Sequence, residues 1–148
     1  MKSNFIMLAM AAFLGLASCA QEPVQKEIGL QLYSIRNEIS QDLETALDAV
    51  AAAGYTFVEM AGYNAGDGTF YGLAGDAFTA LCNSKGLDVI SSHINGPDPN
   101  AATWEECMAW WDKAIQDHLA AGVLYIVQPS MWMSAYESVE GLARYCEL

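Results

Sequence analysis

Basic side chains are scarce. Six Lys and Arg stand against 18 Asp and Glu, a formal charge of −12 over 148 residues, and a grip on phosphate backbones needs clustered cations to displace counterions. No nucleic-acid partner is expected. There are only two histidines, and no two cysteines are spaced as C-x-x-C, so neither a zinc framework nor a disulfide scaffold is in view. No stretch reaches the ~18 apolar residues that cross a bilayer as a helix. Charged residues make up 16% against 53% apolar, too apolar a balance for intrinsic disorder. One domain with a real core is expected at this length.

The start of the chain is set apart from that domain. Lys2 precedes an unbroken apolar run from Phe5 to Ala17, the length of a signal-peptide core and too short for a membrane span. The run closes on Leu16-Ala17-Ser18-Cys19, which resembles the lipobox of bacterial lipoproteins, where the Cys is acylated and becomes the new N-terminus. The expectation is a signal peptide over residues 1–18, a lipid-anchored tether over 19–26 and a folded domain over 27–148. Several acyl chains on Cys19 anchor stably where one binds only marginally. This implies export and a lipid anchor in the bacterial cell envelope, facing the periplasm or on the outer membrane. Cys82, Cys107 and Cys146 fall on the apolar side of predicted helices and read as buried free thiols.

Downstream, one grammar repeats: a helical pattern closed by Gly, then a β-rich run. Leu43 to Gly54 leads into Thr56–Met60, Asp76 to Gly86 into Leu87–His93, and Thr103 to Gly122 into Val123–Gln128. Gly is the expected residue just past a helix, because it takes the left-handed conformation without a Cβ penalty. Leu43, Ala46, Leu47 and Val50 recur at helical spacing, as do Cys107, Trp110, Trp111 and Ala114. Thr103-x-x-Glu106 and Ser134-x-x-Glu137 read as capping boxes. An earlier strand spans Ile28–Ile35.

Strand starts near 28, 56, 87 and 123 match the roughly 31-residue unit of an eight-fold (β/α) barrel. The fold class is therefore α/β, the N-terminal four βα units of a (β/α)8 TIM barrel, an incomplete barrel. A doubly wound sheet competes, but the loop Arg36-Asn37-Glu38-Ile39-Ser40 carries no G-x-G-x-x-G. The glycine-rich stretch Gly62–Gly68 reads as a flexible rim loop.

Gly29-Leu30-Gln31-Leu32-Tyr33-Ser34-Ile35-Arg36, Ala53-Gly54-Tyr55, Phe57-Val58-Glu59, Gly86-Leu87 and Ser91-Ser92-His93 together resemble the N-terminal half of the sugar phosphate isomerase/epimerase family, xylose isomerase-like TIM barrels. The resemblance implies interconversion of sugar isomers by proton transfer α to a carbonyl, with a divalent metal such as Mn, Mg, Co or Zn. The family's metal ligands stand on its fifth to eighth strands, so no metal ligand is assigned to any residue of this chain. The expected partners are a sugar or sugar-derivative substrate and the missing C-terminal half or another half-barrel. The alternative is a non-catalytic lipoprotein module that binds carbohydrate or pairs half-barrels.

Sites on such barrels form at the C-terminal ends of strands. Tyr33, Glu59, His93 and Gln128 each stand near such an end and are expected to share one pocket. Glu59, in an otherwise apolar strand, serves acid–base or hydroxyl-binding work, or else pairs with Arg36. His93, at a strand-to-loop junction, serves the site or is a hydrogen-bonded structural residue. Trp132 and Tyr63 are candidate platforms for the C–H faces of a sugar. His118, inside a helix, reads as a surface or packing residue, and Trp104, Trp110 and Trp111 read as buried.

Overall fold

The computed structural model describes residues 26–148; the expected signal peptide and the lipidation site Cys19 lie outside the described residues. Strand β1 (Gly29–Gln31) leads through a 3-10 turn (Leu32–Ile35) into α1 (Arg36–Gln41) and α2 (Leu43–Ala52). Strand β2 (Phe57–Met60) is followed by a two-stranded hairpin, β3 (Tyr63–Asn64) and β4 (Thr69–Phe70), then α3 (Gly75–Ser84) and β5 (Asp88–His93). The chain continues with α4 (Trp104–Ala120), β6 (Tyr125–Val127), a second 3-10 turn (Met133–Tyr136) and α5 (Val139–Glu147). The four long-range strands form one parallel sheet in the order β1-β2-β5-β6. Sequential strands that neighbour in parallel, each joined by a helix-bearing connection, are the pattern of successive βα units. This is the expected α/β architecture of a partial TIM barrel.

Helices cover one face of the sheet. Val58, Met60 and Val89 on the strands meet Ala46, Leu47 and Val50 of α2 and Phe78 and Cys82 of α3 in a single buried cluster. Leu47 and Phe78 are fully buried, and burial of such a side chain contributes about 1.5–3 kcal/mol. Helix ends are held by short polar side chains. Asp42 accepts from the Thr45 N–H at 3.0 Å, and Thr103 and Glu106 form the expected capping box.

Several expectations are corrected. The first strand stops at Gln31 because Leu32, Ile35 and Ile39 follow a helical period that buries Leu32 and Ile39 in the core. The box expected at Ser134 does not form. Ser134 donates to Asp98 at 2.7 Å, and Ser138 caps α5 by accepting from the Gly141 N–H, a local competition open to any hydroxyl beside a carboxylate. The Gly62–Gly68 stretch supplies β3 and the turn of the β3–β4 hairpin, pinned by Asp67 accepting from the Thr69 amide and hydroxyl. Cys146 is exposed, unlike buried Cys82 and Cys107, because α5 buries only Gly141. Trp104, in the first turn of α4, is 38% exposed.

The edges are open among the described residues. No strand pairs the outer side of β1 or β6, and in and just before β6 Leu124, Tyr125 and Val127 are 71%, 65% and 38% exposed. Unpaired edges carrying apolar side chains recruit further strands. The chain purified by itself should therefore sediment as dimers or larger species at micromolar concentration, and Tyr125→Lys should shift it toward monomer. A monodisperse monomer of the unsubstituted chain contradicts this.

Candidate functional site

The uncovered face of the sheet carries the polar groups. Cross-strand pairs run Gln31 to Glu59, Glu59 to Ser91 and Ser91 to Tyr125, with His93 opposite Val127 one step further. Strict alternation from Val89, which packs against the helices, would turn Ser91 and His93 toward the helices as well. A register shift prevents it. Val58 pairs with Val89 but Glu59 pairs with Ser91, so Ile90 is an extra residue in β5, a bulge that reverses the parity beyond it. Ser92 consequently faces the helices, bonded to His118, while Ser91 and His93 join Glu59 on the open face. At the bottom of that face the Phe57 ring lies across Gly29, where a Cβ would fall 1.9 Å from the ring; only glycine fits there.

Glu59 Oε2 accepts from the Ser91 hydroxyl at 2.8 Å, and Oε1 stands 4.0 Å from His93 Nδ1. Both side chains are about three-quarters buried, 24% and 22% exposed. The Gln31 amide donates to the same His93 Nδ1. Tyr33 tilts against the His93 ring at 6.2 Å between centroids. The alternative Arg36 partnership of Glu59 does not form. Arg36 lies 4.5 Å over the Tyr33 ring and donates to the Tyr33 carbonyl at 3.0 Å. A recess of about 170 Å3 opens here, lined by Tyr33, Ala61, Tyr63, His93, Ile94, Asn95 and Trp110. Larger recesses lie elsewhere. The one of about 460 Å3 between α1 and α2 is apolar, with Glu38 and Asp42 its only carboxylates, and no strand-end polar group enters it.

The expected pocket thus splits in two. Tyr33, His93 and Tyr63 line the recess, with Glu59 beside His93 and outside the lining, but Tyr63 offers only its ring: its hydroxyl donates to Asp117 at 2.7 Å, and burial and that carboxylate push its pKa up. Gln128 and Trp132 instead clamp the loop after β5. Gln128 accepts from the Gly96 N–H at 3.1 Å and donates to Tyr145 and the Ser130 carbonyl, while the Trp132 indole donates to the Gly96 carbonyl at 2.8 Å. Both amide ends of Gln128 are used, so it is corrected from a substrate contact to a loop anchor. Trp132 keeps an exposed face, 44% accessible, outside the recess. Trp110, read as buried, is half-buried and lines the recess; Gln31 and Ser91 carry no site signal in the sequence, Ser91 because the parity reversal at Ile90 is not visible there.

Beneath the site, His118 is 1% exposed. Its Nδ1 lies 2.6 Å from the Ala114 carbonyl, which can only accept, so Nδ1 carries the proton and Nε2 accepts from Ser92 at 2.8 Å. The rings of Tyr63 and Phe70 pack on it at 4.7 and 4.9 Å. Of the surface and packing roles open to it, it takes the packing one. Lys113 pairs with Asp117 at 2.5 Å. Burial raises the Asp117 pKa, but Lys113 and the Tyr63 phenol outweigh it and hold the carboxyl below its ordinary range.

The fit to a divalent metal is poor within this chain. Among the described residues no group of three or more His, Cys, Asp or Glu converges, and Glu59 with His93 supplies two donors where a catalytic site needs about three.

No family model matches the chain, and no curated protein does. Solved structures do. A sugar phosphate isomerase/epimerase from Parabacteroides distasonis ATCC 8503 superposes with a TM-score of 0.72 at 29% identity, covering 86% of this chain and 46% of the other. A second protein so described from the same organism gives 0.69 at 28% identity, covering 82% and 47%. The chain spans about half the length of these neighbours. The similarity in fold extends the resemblance carried by the β1 and β5 motifs.

Burial holds the His118 pKa below its ordinary 6.5, although the Ala114 carbonyl and Asp117 pull the other way. The unfolded chain then takes up a proton before the folded one, so stability is full above about pH 6.5 and falls as pH drops toward the folded value. Denaturant melts between pH 7 and 5 should show this loss, at most about 1.4 kcal/mol per pH unit, and His118→Gln should flatten it. An unchanged slope in the variant contradicts this reading of the buried imidazole.

Proposed function

We propose that this chain carries the first half of a sugar isomerase or epimerase site, with Glu59 and His93 as its working pair. One observation carries the reading: a carboxylate and an imidazole stand 4.0 Å apart on the uncovered face, at strand ends, in a fold shared at 29% identity with a sugar phosphate isomerase/epimerase. Ser91 fixes one carboxylate oxygen and leaves the other for the substrate. In such a reaction a carboxylate takes the proton from the carbon next to the carbonyl, and negative charge moves to the carbonyl oxygen. Glu59 is suited to the first task, and a hydrogen bond from His93 to the second. Tyr33 and Trp110 supply aromatic faces for the C–H side of a sugar.

A divalent metal, if the protein uses one, supplies polarisation of neighbouring sugar oxygens. Its ligands are proposed to belong to the part of the barrel that the neighbours have and these residues do not span. Turnover is proposed to need that part too. We also propose, from Leu16-Ala17-Ser18-Cys19, that lipid on Cys19 holds the protein at the bacterial envelope.

The test is equilibrium binding of neutral ketoses and aldoses, followed by fluorescence of Trp110 in a background with the other tryptophans replaced by Phe. The 148-residue chain should bind such sugars and form no isomer, and Glu59→Gln or His93→Asn should weaken binding about tenfold or more, the worth of one charge-assisted hydrogen bond. Equal affinity in all three proteins contradicts the assignment.

A further inference from the structure

The His93 ring has two possible neutral forms, and the groups around it pull in opposite directions. Glu59 Oε1, 4.0 Å from Nδ1, favours a proton on Nδ1. The Gln31 amide, the last side chain of β1, donates to that same nitrogen and can do so only if Nδ1 is bare. The turned-over amide would bring its oxygen to the side where Glu59, the Cα partner of Gln31 across the strand pair, already places a carboxylate. Donation from Gln31 is the arrangement without that repulsion. Among the described residues His93 Nε2 meets no hydrogen-bond partner and is not among the buried unpaired atoms.

Resting on the site proposed above, we propose that Gln31 is a positioning residue that holds His93 with its proton on Nε2, so that the ring, which lines the recess, presents a neutral donor next to the part-exposed acceptor Glu59. The pair then reads a particular chemistry: an oxygen that only accepts next to one that donates. That is a neutral α-hydroxycarbonyl compound, its carbonyl toward His93 and its adjacent hydroxyl toward Glu59. Without Gln31 the proton moves to Nδ1 under the pull of Glu59, and a ligand at this pair meets two acceptors. A carbonyl oxygen then has no donor, and leaving a polar group unpaired costs more than the bond was worth.

The other histidine gives an internal control. His118 is committed to the opposite form, Nδ1 bearing the proton toward Ala114 and Nε2 accepting from Ser92. Two-bond proton–nitrogen correlation spectra of the histidine-labelled chain, at a pH well above that of an ordinary imidazole, report both forms at once, with His93→Asn assigning the signals. The unsubstituted chain should show His93 protonated on Nε2 and His118 on Nδ1. In Gln31→Glu and Gln31→Leu the His93 pattern should move to Nδ1, while an unmoved His118 pattern certifies the fold. Affinity for dihydroxyacetone, the probe, should fall about tenfold in both. His93 protonated on Nδ1 in the unsubstituted chain, or on Nε2 in both variants, overturns the proposal. The predicted change of form with no dihydroxyacetone binding in any protein upholds the role of Gln31 and sinks the sugar reading. Binding in all three proteins with no change of form does the reverse.

Discussion

One extra residue in one strand sets the working surface of this molecule. A parallel sheet with helices on a single face must send alternate side chains to opposite sides, and the burial of Val58, Met60 and Val89 against α2 and α3 fixes which side is which. Carried on without interruption, that rule would put His93 and Ser91 among the helices and leave Glu59 and Gln31 without them on the open face. The bulge at Ile90 breaks the rule once. Ser91 and His93 then stand with Glu59 and Gln31, and Ser92 turns inward to His118. Both halves of that exchange are polar pairs, so the parity reversal is held from both sides of the sheet.

The layers around the site follow from this choice. His118 is the inward partner of β5, and the β3–β4 hairpin lies on it through Tyr63 and Phe70, so the same helix that supports the sheet also carries one wall of the recess through Trp110. On the other side, Gln128 and Trp132 grip the two ends of the Gly96 peptide. That grip depends on Gly96 being glycine, because a Cβ there would fall 2.5 Å from the Trp111 ring. The loop after β5 is thereby held close to the recess without lending it either of the two clamping side chains.

Much of the fold was legible in the sequence because its signals are local and redundant. Helical spacing of Leu43, Ala46, Leu47 and Val50, the Gly closing each helix, and the Thr103–Glu106 box all point to the elements found. What was not legible depended on tertiary competition. Ser134 carries the same capping signature as Thr103, but Asp98, remote in sequence, claims its hydroxyl. The site was half legible for a similar reason. A carboxylate in the apolar run Phe57-Val58-Glu59-Met60 marks itself, and His93 at a strand end does too. Gln31 sits beside Tyr33 in the same motif and gives no signal until β1 is placed against β2. Gln128 looked like a strand-end ligand contact, and only the position of Gly96 and Tyr145 reveals it as an anchor.

The central claim is that the face carrying Gln31, Glu59, Ser91 and His93 is where a sugar-like molecule binds. A crystal structure of the protein soaked with a linear neutral polyol tests it most directly. The account predicts density for the polyol at His93 Nε2 and beside Glu59, against Tyr33 and Trp110. Density confined to the apolar groove between α1 and α2, or beside Gln128 and Tyr145, would contradict it.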